Sequence, residues 1–255
     1  MKSYLLLYGI GRNKKNIKKL IYFFKHLSPD IKIIYNYFRV NSVNNIRSGE
    51  LGLISYRDIE KTTPNTFEYK IDNNIKDKLL TFSKKFNDGH KDNFKSNSNL
   101  INQLMLLNNL SSKIKDINDD DLVVVFRDDV KFDFLSKFIL TKIWNKLKKS
   151  KNINISAFSW HGGYNDKFFI SNAFNAKILL SRIIYIKESI ENYGHLNAEE
   201  LIYYVTKKNG IKVKPIFCRV ARLRINGKVK WDPYFPSIQR PNDLIRVIKS
   251  LCNDY

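Results

Sequence analysis

Apolar positions along the chain fall into two rhythms: short uninterrupted runs and longer stretches with helical spacing. Residues 4–8 form the first run, and a turn of Gly9, Ile10, Gly11 and Arg12 follows. Across residues 13–26 apolar side chains recur at Ile17, Leu20, Ile21, Phe23 and Phe24, which predicts a helix. Pro29 and Asp30 break it, and residues 31–38 read as a second strand. Strand, turn, helix, strand is a βαβ opening, which implies a parallel sheet.

Residues 41–95 carry no clear rhythm. They include Arg47, Gly49, Glu50, Gly52 and Pro64, and predict loops, a short strand or two and a helix near residues 75–86. A long irregular stretch in a compact domain often serves as a lid or binding loop. Residues 98–117 then form an amphipathic helix through Leu100, Ile101, Leu104, Leu107, Leu110 and Ile114.

The chain is organised around residues 119–133, DDDLVVVFRDDVKFD. Leu122 to Phe126 is an apolar run bounded by charge, the pattern of a strand buried on both faces. It ends in Arg127, Asp128 and Asp129. Ligands of open α/β sheets sit at the carboxyl ends of strands, so two carboxylates there are candidates to hold a divalent cation. A solvated turn capping the next helix is the plainer reading.

Residues 133–149 predict a helix burying Phe134, Phe138, Ile139, Ile143, Trp144 and Leu147. A strand at 153–159 leads into Trp160-His161-Gly162-Gly163-Tyr164-Asn165-Asp166-Lys167, which reads equally as a binding loop or an apolar plug. A short strand at 168–171 and one helix at 175–193 follow. In HLNAEELIYYVTKKNG, Asn197 caps a helix with Glu199 and Glu200 in its first turn and Gly210 closing it. Residues 211–217 form a strand placed near an edge by Pro215, which cannot donate to a ladder. Period two sets Arg222 and Arg224 on one face of an extended segment, Asn226-Gly227 makes a hairpin turn, and Pro241 precedes a last helix at 243–251.

Composition narrows the class. The 255 residues suit one α/β domain, and 43% hydrophobic content with 17 Phe and 14 Tyr fills a core. Lys plus Arg number 45 against 24 acids, a net charge of +21 that favours anionic partners, although Lys, Asn and Ile are enriched together. Two cysteines, Cys218 and Cys252, exclude a disulfide framework and a Cys-type zinc site, and fit a reducing, cytoplasmic compartment. No segment reaches membrane length. The Gly9–Arg12 turn is not a GxGxxG loop, because Lys14 stands where the third Gly belongs, and no G-K-[ST] follows. Its two glycines, the helix N-terminus and Arg12 still suit a phosphate.

Several segments in order resemble GT-A type glycosyltransferases of lipopolysaccharide and surface-glycan synthesis, bacterial and giant-viral. Gly9-Ile10-Gly11-Arg12 is similar to their G-x-x-R, and Asn99-Leu100-Ile101-Asn102-Gln103 to the helix before their metal strand. Phe126-Arg127-Asp128-Asp129-Val130 resembles their R-x-D element. Asn165-Asp166-Lys167, Ala198-Glu199-Glu200-Leu201 and Arg222-Leu223-Arg224 resemble their acceptor-side and closing elements. Arg-Asp-Asp departs from Asp-x-Asp. The resemblance implies one GT-A-like domain, a Rossmann-like mainly parallel sheet flanked by helices, with a donor half at about 1–135 and an acceptor half at about 136–255.

It also implies transfer of a sugar from a nucleotide-diphosphate-sugar to a hydroxyl of a glycan, glycolipid or glycoprotein. Mn²⁺ or Mg²⁺ would sit on Asp129 and Asp128. Gly9, Gly11, Arg12, Gln103, Arg127, Asp128, Asn165, Arg222 and Arg224 would bind substrate. Glu199 or Asp166 would serve the acceptor, as general base where the reaction inverts. Peripheral contact with an anionic membrane is compatible with the charge, and no nucleic acid is expected. The competing reading is a metal-dependent nuclease built on Asp129-Val130-Lys131 with Asp116 and Asp119 upstream.

Overall fold

The computed structural model describes residues 1–45, 50–56, 59, 61, 63, 65–233 and 241–252, so Arg47, Gly49 and Pro64 lie outside the described residues. In chain order the strands and helices are β1 (Ser3–Gly9), α1 (Lys14–Leu27), β2 (Lys32–Tyr37), β3 (Ser42–Asn45), β4 (Glu50–Leu53), β5 (Thr66–Glu68), α2 (Asn73–Ser83), α3 (Lys95–Lys113), β6 (Leu122–Arg127), β7 (Val130–Phe132), α4 (Phe134–Lys148), β8 (Ile153–Ser156), β9 (Phe168–Asn172), α5 (Ala173–Leu180), α6 (Ile186–Tyr193), α7 (Ala198–Lys208), β10 (Val213–Ile216), β11 (Val220–Leu223), β12 (Val229–Trp231) and α8 (Pro241–Cys252).

Seven strands form a central sheet in the order β10-β8-β9-β6-β1-β2-β5. All neighbours are parallel except β9, which runs antiparallel to β6 and β8. A three-stranded antiparallel sheet, β12-β11-β7, stands beside it, and β3 pairs with β4. The fold is thus a mixed α/β one with a mostly parallel sheet between helices. Pro215 lies on β10, an edge strand, as its missing N–H requires.

Period-two alternation decides which helices cover which face. On β1, Leu6 and Tyr8 face α3, α5 and α7, whereas Leu5 and Leu7 face α1 and α4. On β6, Val123 and Val125 join the first core, and Val124 and Phe126 the second. Both cores draw on both halves of the chain, and truncating one of these fully buried leucines to Ala would cost ~2–5 kcal/mol.

Three sequence expectations change. The helix at 175–193 is three pieces: α5, a 3-10 turn (Arg182–Tyr185) and α6. The break falls at Arg182, which is buried with Nη1 donating to the Leu179 carbonyl at 2.8 Å. On α4 the buried stripe is Ser136, Leu140, Trp144 and Leu147, while Phe134 and Phe138 lie on the opposite side, 86% and 52% exposed. The expected face had merged two stripes of one helix. The strand at 153–159 ends at Ser156, and Ser159 and His161 beyond it take left-handed backbone that no strand could continue through.

Candidate active site

β1 sits between β2 and β6. The chain leaves β1 for β2 on one side, and after β6 its next strand in this sheet is β8 on the other side, so a topological switch point lies between β1 and β6. Tyr8 of β1 is in register with Arg127 of β6, which brings the Gly9–Arg12 turn against Asp128 and Asp129.

Asp128 belongs to the turn. Its Oδ2 accepts from the Gly11 amide at 2.7 Å and the Tyr35 hydroxyl at 3.0 Å. Asn16 of α1 donates to the Asp128 and Val130 carbonyls, at 3.1 and 2.7 Å. The two glycines are required here. Gly9 has φ +155° and a Cβ on it would stand 2.0 Å from Asp128 Oδ1. Gly11 has φ +71° and abuts Ile59. Burial and the charge of Asp129 push the Asp128 carboxyl up to about 6. Asp128 therefore braces the turn from below, and Gly9 and Gly11 shape it.

Asp129 belongs to an ion-pair net. Arg127 grips it with two nitrogens, Nε to Oδ1 at 2.6 Å and Nη2 to Oδ2 at 3.3 Å, and Arg12 Nη2 lies 3.4 Å from Oδ2. Burial alone would raise this carboxyl, but Arg127 and Arg12 outweigh it and hold it well below the usual range. The net extends both ways. Arg12 reaches Glu50 at 2.6 Å, and Glu50 reaches Arg224 at 2.9 Å and the Ile225 amide at 2.9 Å. Arg127 reaches Asp166 at 3.3 Å, and Arg222 stands 3.9 Å from Asp166. Charges alternate along Arg224, Glu50, Arg12, Asp129, Arg127, Asp166 and Arg222. The second sheet sets this up, since β11 pairs with β7 so that Arg222 is opposite Val130, and the Leu223 amide bonds the Asp129 carbonyl at 2.6 Å.

The net is not saturated. Arg12 Nε, Arg222 Nε, Asp166 Oδ1 and Asp128 Oδ1 are buried atoms without a hydrogen-bond partner. Arg222 is held below its usual value by the charge of Arg127 and by burial. Burial alone would raise Asp166, but Arg127 and Arg222 outweigh it and lower it. Half-buried Glu199, in the first turn of α7, behaves oppositely: burial and the Asp166 charge push it up to about 7.

Two other expected ligands stand behind the net, in the loop and beside β1. Asn165 is buried, with Nδ2 donating to the Phe158 carbonyl at 2.7 Å and Oδ1 accepting from the Lys167 amide at 2.9 Å. It shapes the loop, in which Trp160 and Tyr164 pack edge to face at 4.9 Å as an apolar plug. Gln103 donates to the Tyr8 hydroxyl at 3.3 Å, and Tyr8 in turn donates to the Asp166 carbonyl at 3.0 Å. Asn165 thus has its amide engaged within the loop, whereas Gln103 keeps its amide oxygen beside the Tyr8 hydroxyl. Sequence reasoning missed Glu50, hidden in an aperiodic stretch, and the buried Lys167–Asp232 pair, whose only trace was the Asn-Asp-Lys run.

The same geometry bears on a divalent cation. Asp128 faces Gly11 and Tyr35, and both Asp129 oxygens face guanidinium groups. Among the described residues no three His, Cys, Asp or Glu side chains group to hold a metal ion. As arranged, the two carboxylates do not present a shared Mn²⁺ or Mg²⁺ site, because Arg127 and Arg12 take both oxygens of Asp129 while Asp128 turns its Oδ2 to the Gly11 amide and the Tyr35 hydroxyl. The nuclease constellation does not assemble either. Asp119 pairs with Lys177 at 2.9 Å beyond the opposite end of β6, and Lys131 lies over the Trp231 ring.

No family model matches the chain, and no curated protein matches it. Solved structures give loose likenesses. Mouse xyloside xylosyltransferase 1 in its apo form is 10% identical over 84% of each chain, with a TM-score of 0.41. The galactosyltransferase LgtC, solved with donor and acceptor sugar analogues, is 13% identical over 83% of this chain and 73% of that one, at 0.40. A Desulfovibrio desulfuricans G20 protein assigned as a nucleotide-diphospho-sugar transferase is 9% identical over 85% and 80%, at 0.41.

Proposed function

We propose that this chain is a glycosyltransferase that moves a sugar from a nucleotide-diphosphate donor to a hydroxyl of a glycan, glycolipid or glycoprotein. The observation that carries the reading is the arginine-rich net at the switch point of the sheet, with unpartnered guanidinium N–H groups beside a carboxyl poised near neutrality. The order of motifs that resemble GT-A enzymes supports it.

In this reading Arg12, Arg127 and Arg222 receive the diphosphate. Four arginines against Glu50, Asp129 and Asp166 leave the net with one excess positive charge, counting 4 − 3. Forked guanidinium donors suit phosphate oxygens, and their charge stabilises the diphosphate as it departs. The turn braced by Asp128 adds backbone at the N-terminus of α1, where anions are favoured. Glu199 takes the proton of the acceptor hydroxyl, since a group near 7 is part ionised at neutral pH. Asp166, lowered and held by Arg127, positions that arginine rather than accepting the proton. In this reading the arginines supply the positive charge on the diphosphate that a cation would otherwise supply.

The test is thermal stabilisation by UDP-, GDP-, CMP- and dTDP-sugars, with and without Mn²⁺, followed by nucleotide release with an acceptor. One nucleotide is expected to raise the midpoint, with or without Mn²⁺, and Arg222→Ala to weaken the shift. A shift only with Mn²⁺ would refute the arginine reading of the diphosphate site. No shift with any donor, but a salt-sensitive one with DNA, would refute the glycosyltransferase reading.

A further inference from the structure

We propose that the outer faces of α1 and α4 together form a docking surface for an anionic phospholipid bilayer, with Phe134, Leu135 and Phe138 as the inserting wedge. The two helices lie side by side on one face of the sheet: Phe24 and Trp144 are 6.0 Å apart, and Lys137 lies over the Phe23 ring at 5.7 Å. Neither carries an acidic residue. α1 has five lysines and α4 has four. Helices on the opposite face carry Glu188, Glu191, Glu199 and Glu200 beside their own lysines, so the lysine excess is densest on α1 and α4.

The basic face holds a shallow basin of ≈ 770 Å³ lined by Lys15, Lys18, Lys19, Tyr22 and Lys137 among others, none acidic. Tyr22 is 77% exposed. At the start of α4, Phe134, Leu135 and Phe138 project into solvent, and Lys142 lies over the Phe138 ring. Three large apolar side chains exposed together at one helix start mark a contact surface rather than scattered surface residues. Lysines around an aromatic and aliphatic wedge match an interface in which headgroups are anionic and the layer beneath is apolar. Leu135 argues against a nucleic acid, which stacks on aromatic rings but gains little from an aliphatic tip. The wedge follows β7, which follows Asp129, so docking would bring the crevice close to the headgroups. The proposal does not depend on the transfer reaction.

The experiment is co-sedimentation of the full chain with vesicles of phosphatidylcholine alone or with roughly 30 mol % phosphatidylglycerol. Binding is expected only to the anionic vesicles, and it should fall at ~0.5 M salt, where surface charge is screened. Reversing Lys18, Lys19 and Lys137 to Glu should lower partitioning at least roughly a hundredfold, at about fivefold per lysine. Phe134→Ser with Phe138→Ser should lower it roughly tenfold or more, with an unchanged thermal midpoint because both rings already face water. Nucleotide-sugar binding in solution should stay at the parent level in this second variant, which separates the surface from the crevice. Equal binding to neutral vesicles, or anionic binding insensitive to the Phe pair, overturns the proposal. So does duplex DNA binding that the lysine reversals abolish while vesicles do not bind.

Discussion

Asp128 and Asp129 are adjacent in the chain and equally buried, yet they serve different regions. Around Asp128 the partners are neutral donors, the Gly11 amide and the Tyr35 hydroxyl, and the carboxyl moves up to about 6. Around Asp129 the partners are guanidinium groups from Arg127 and Arg12, and it stays ionised far below the usual range. The first region is architecture that fixes a turn. The second is a charged surface held ready by its own counter-ions. Burial alone therefore does not mark a functional acid; the chemistry of the partners does.

The largest effect should come from breaking the second region at Arg127. Arg127→Met leaves Asp129 buried without its main partner, which costs ~3–5 kcal/mol. Urea unfolding at pH 7 would show it. The double change Arg127→Met with Asp129→Leu should recover the part of that loss owed to Asp129, since an apolar pair replaces a buried ion pair at little cost, while Asp166 keeps only Arg222. Transfer activity should not return with it and should stay ~10²–10³-fold down, because the diphosphate has lost its donors. Recovery of activity in the double variant would show that the net is only structural.

Glu199 tests the edge of that region. Glu199→Gln should lower kcat ~10²–10⁴-fold while stability moves by less than ~1 kcal/mol, since the side chain is half-buried and the Asn197 cap of α7 is untouched. As a base Glu199 must be deprotonated. For the parent, kcat/KM should rise with pH through about 7 and level off above it. A rise of the same shape in Glu199→Gln would assign the titration to another group.

How much of this was legible beforehand differs between the two regions. Strand β6 and its terminal charges stood out because a β-branched apolar run bounded by carboxylates has few other readings. The helix cap at Asn197 and the edge position of β10 followed from local chemistry as well, through a side-chain acceptor and a missing proline N–H. The roles of Asp128 and Asn165 were not legible. Which way a side chain turns depends on distant partners such as Tyr35 and Phe158, and no local pattern encodes them. Glu50 was hidden for the same reason: it meets Arg12 and Arg224 only through the fold. On α4 the misreading was geometric, since Phe134 and Phe138 repeat at helical spacing just as a core stripe does.

The smallest and sharpest test separates shape from charge at Asp128. Asp128→Ala removes the acceptor of two buried donors and should cost ~2–3 kcal/mol. Asp128→Asn keeps an acceptor oxygen for the Gly11 amide and the Tyr35 hydroxyl while removing the repulsion with Asp129, so it should match or exceed the parent at pH 7.5. The folded carboxyl titrates near 6, above its unfolded value of about 3.9. Its favourable contribution is therefore complete below about 4 and is lost as pH rises through 6. Parent and Asp128→Asn should converge as the pH falls from 7.5 to 4.5, because the parent regains a proton while Asn does not change. The opposite contribution of Asp129 is common to both proteins and cancels to first order. Urea midpoints at the two pH values decide the matter. A gap that widens on acidification would mean Asp128 is held as a charged group, and the distinction between the two carboxylates would fail.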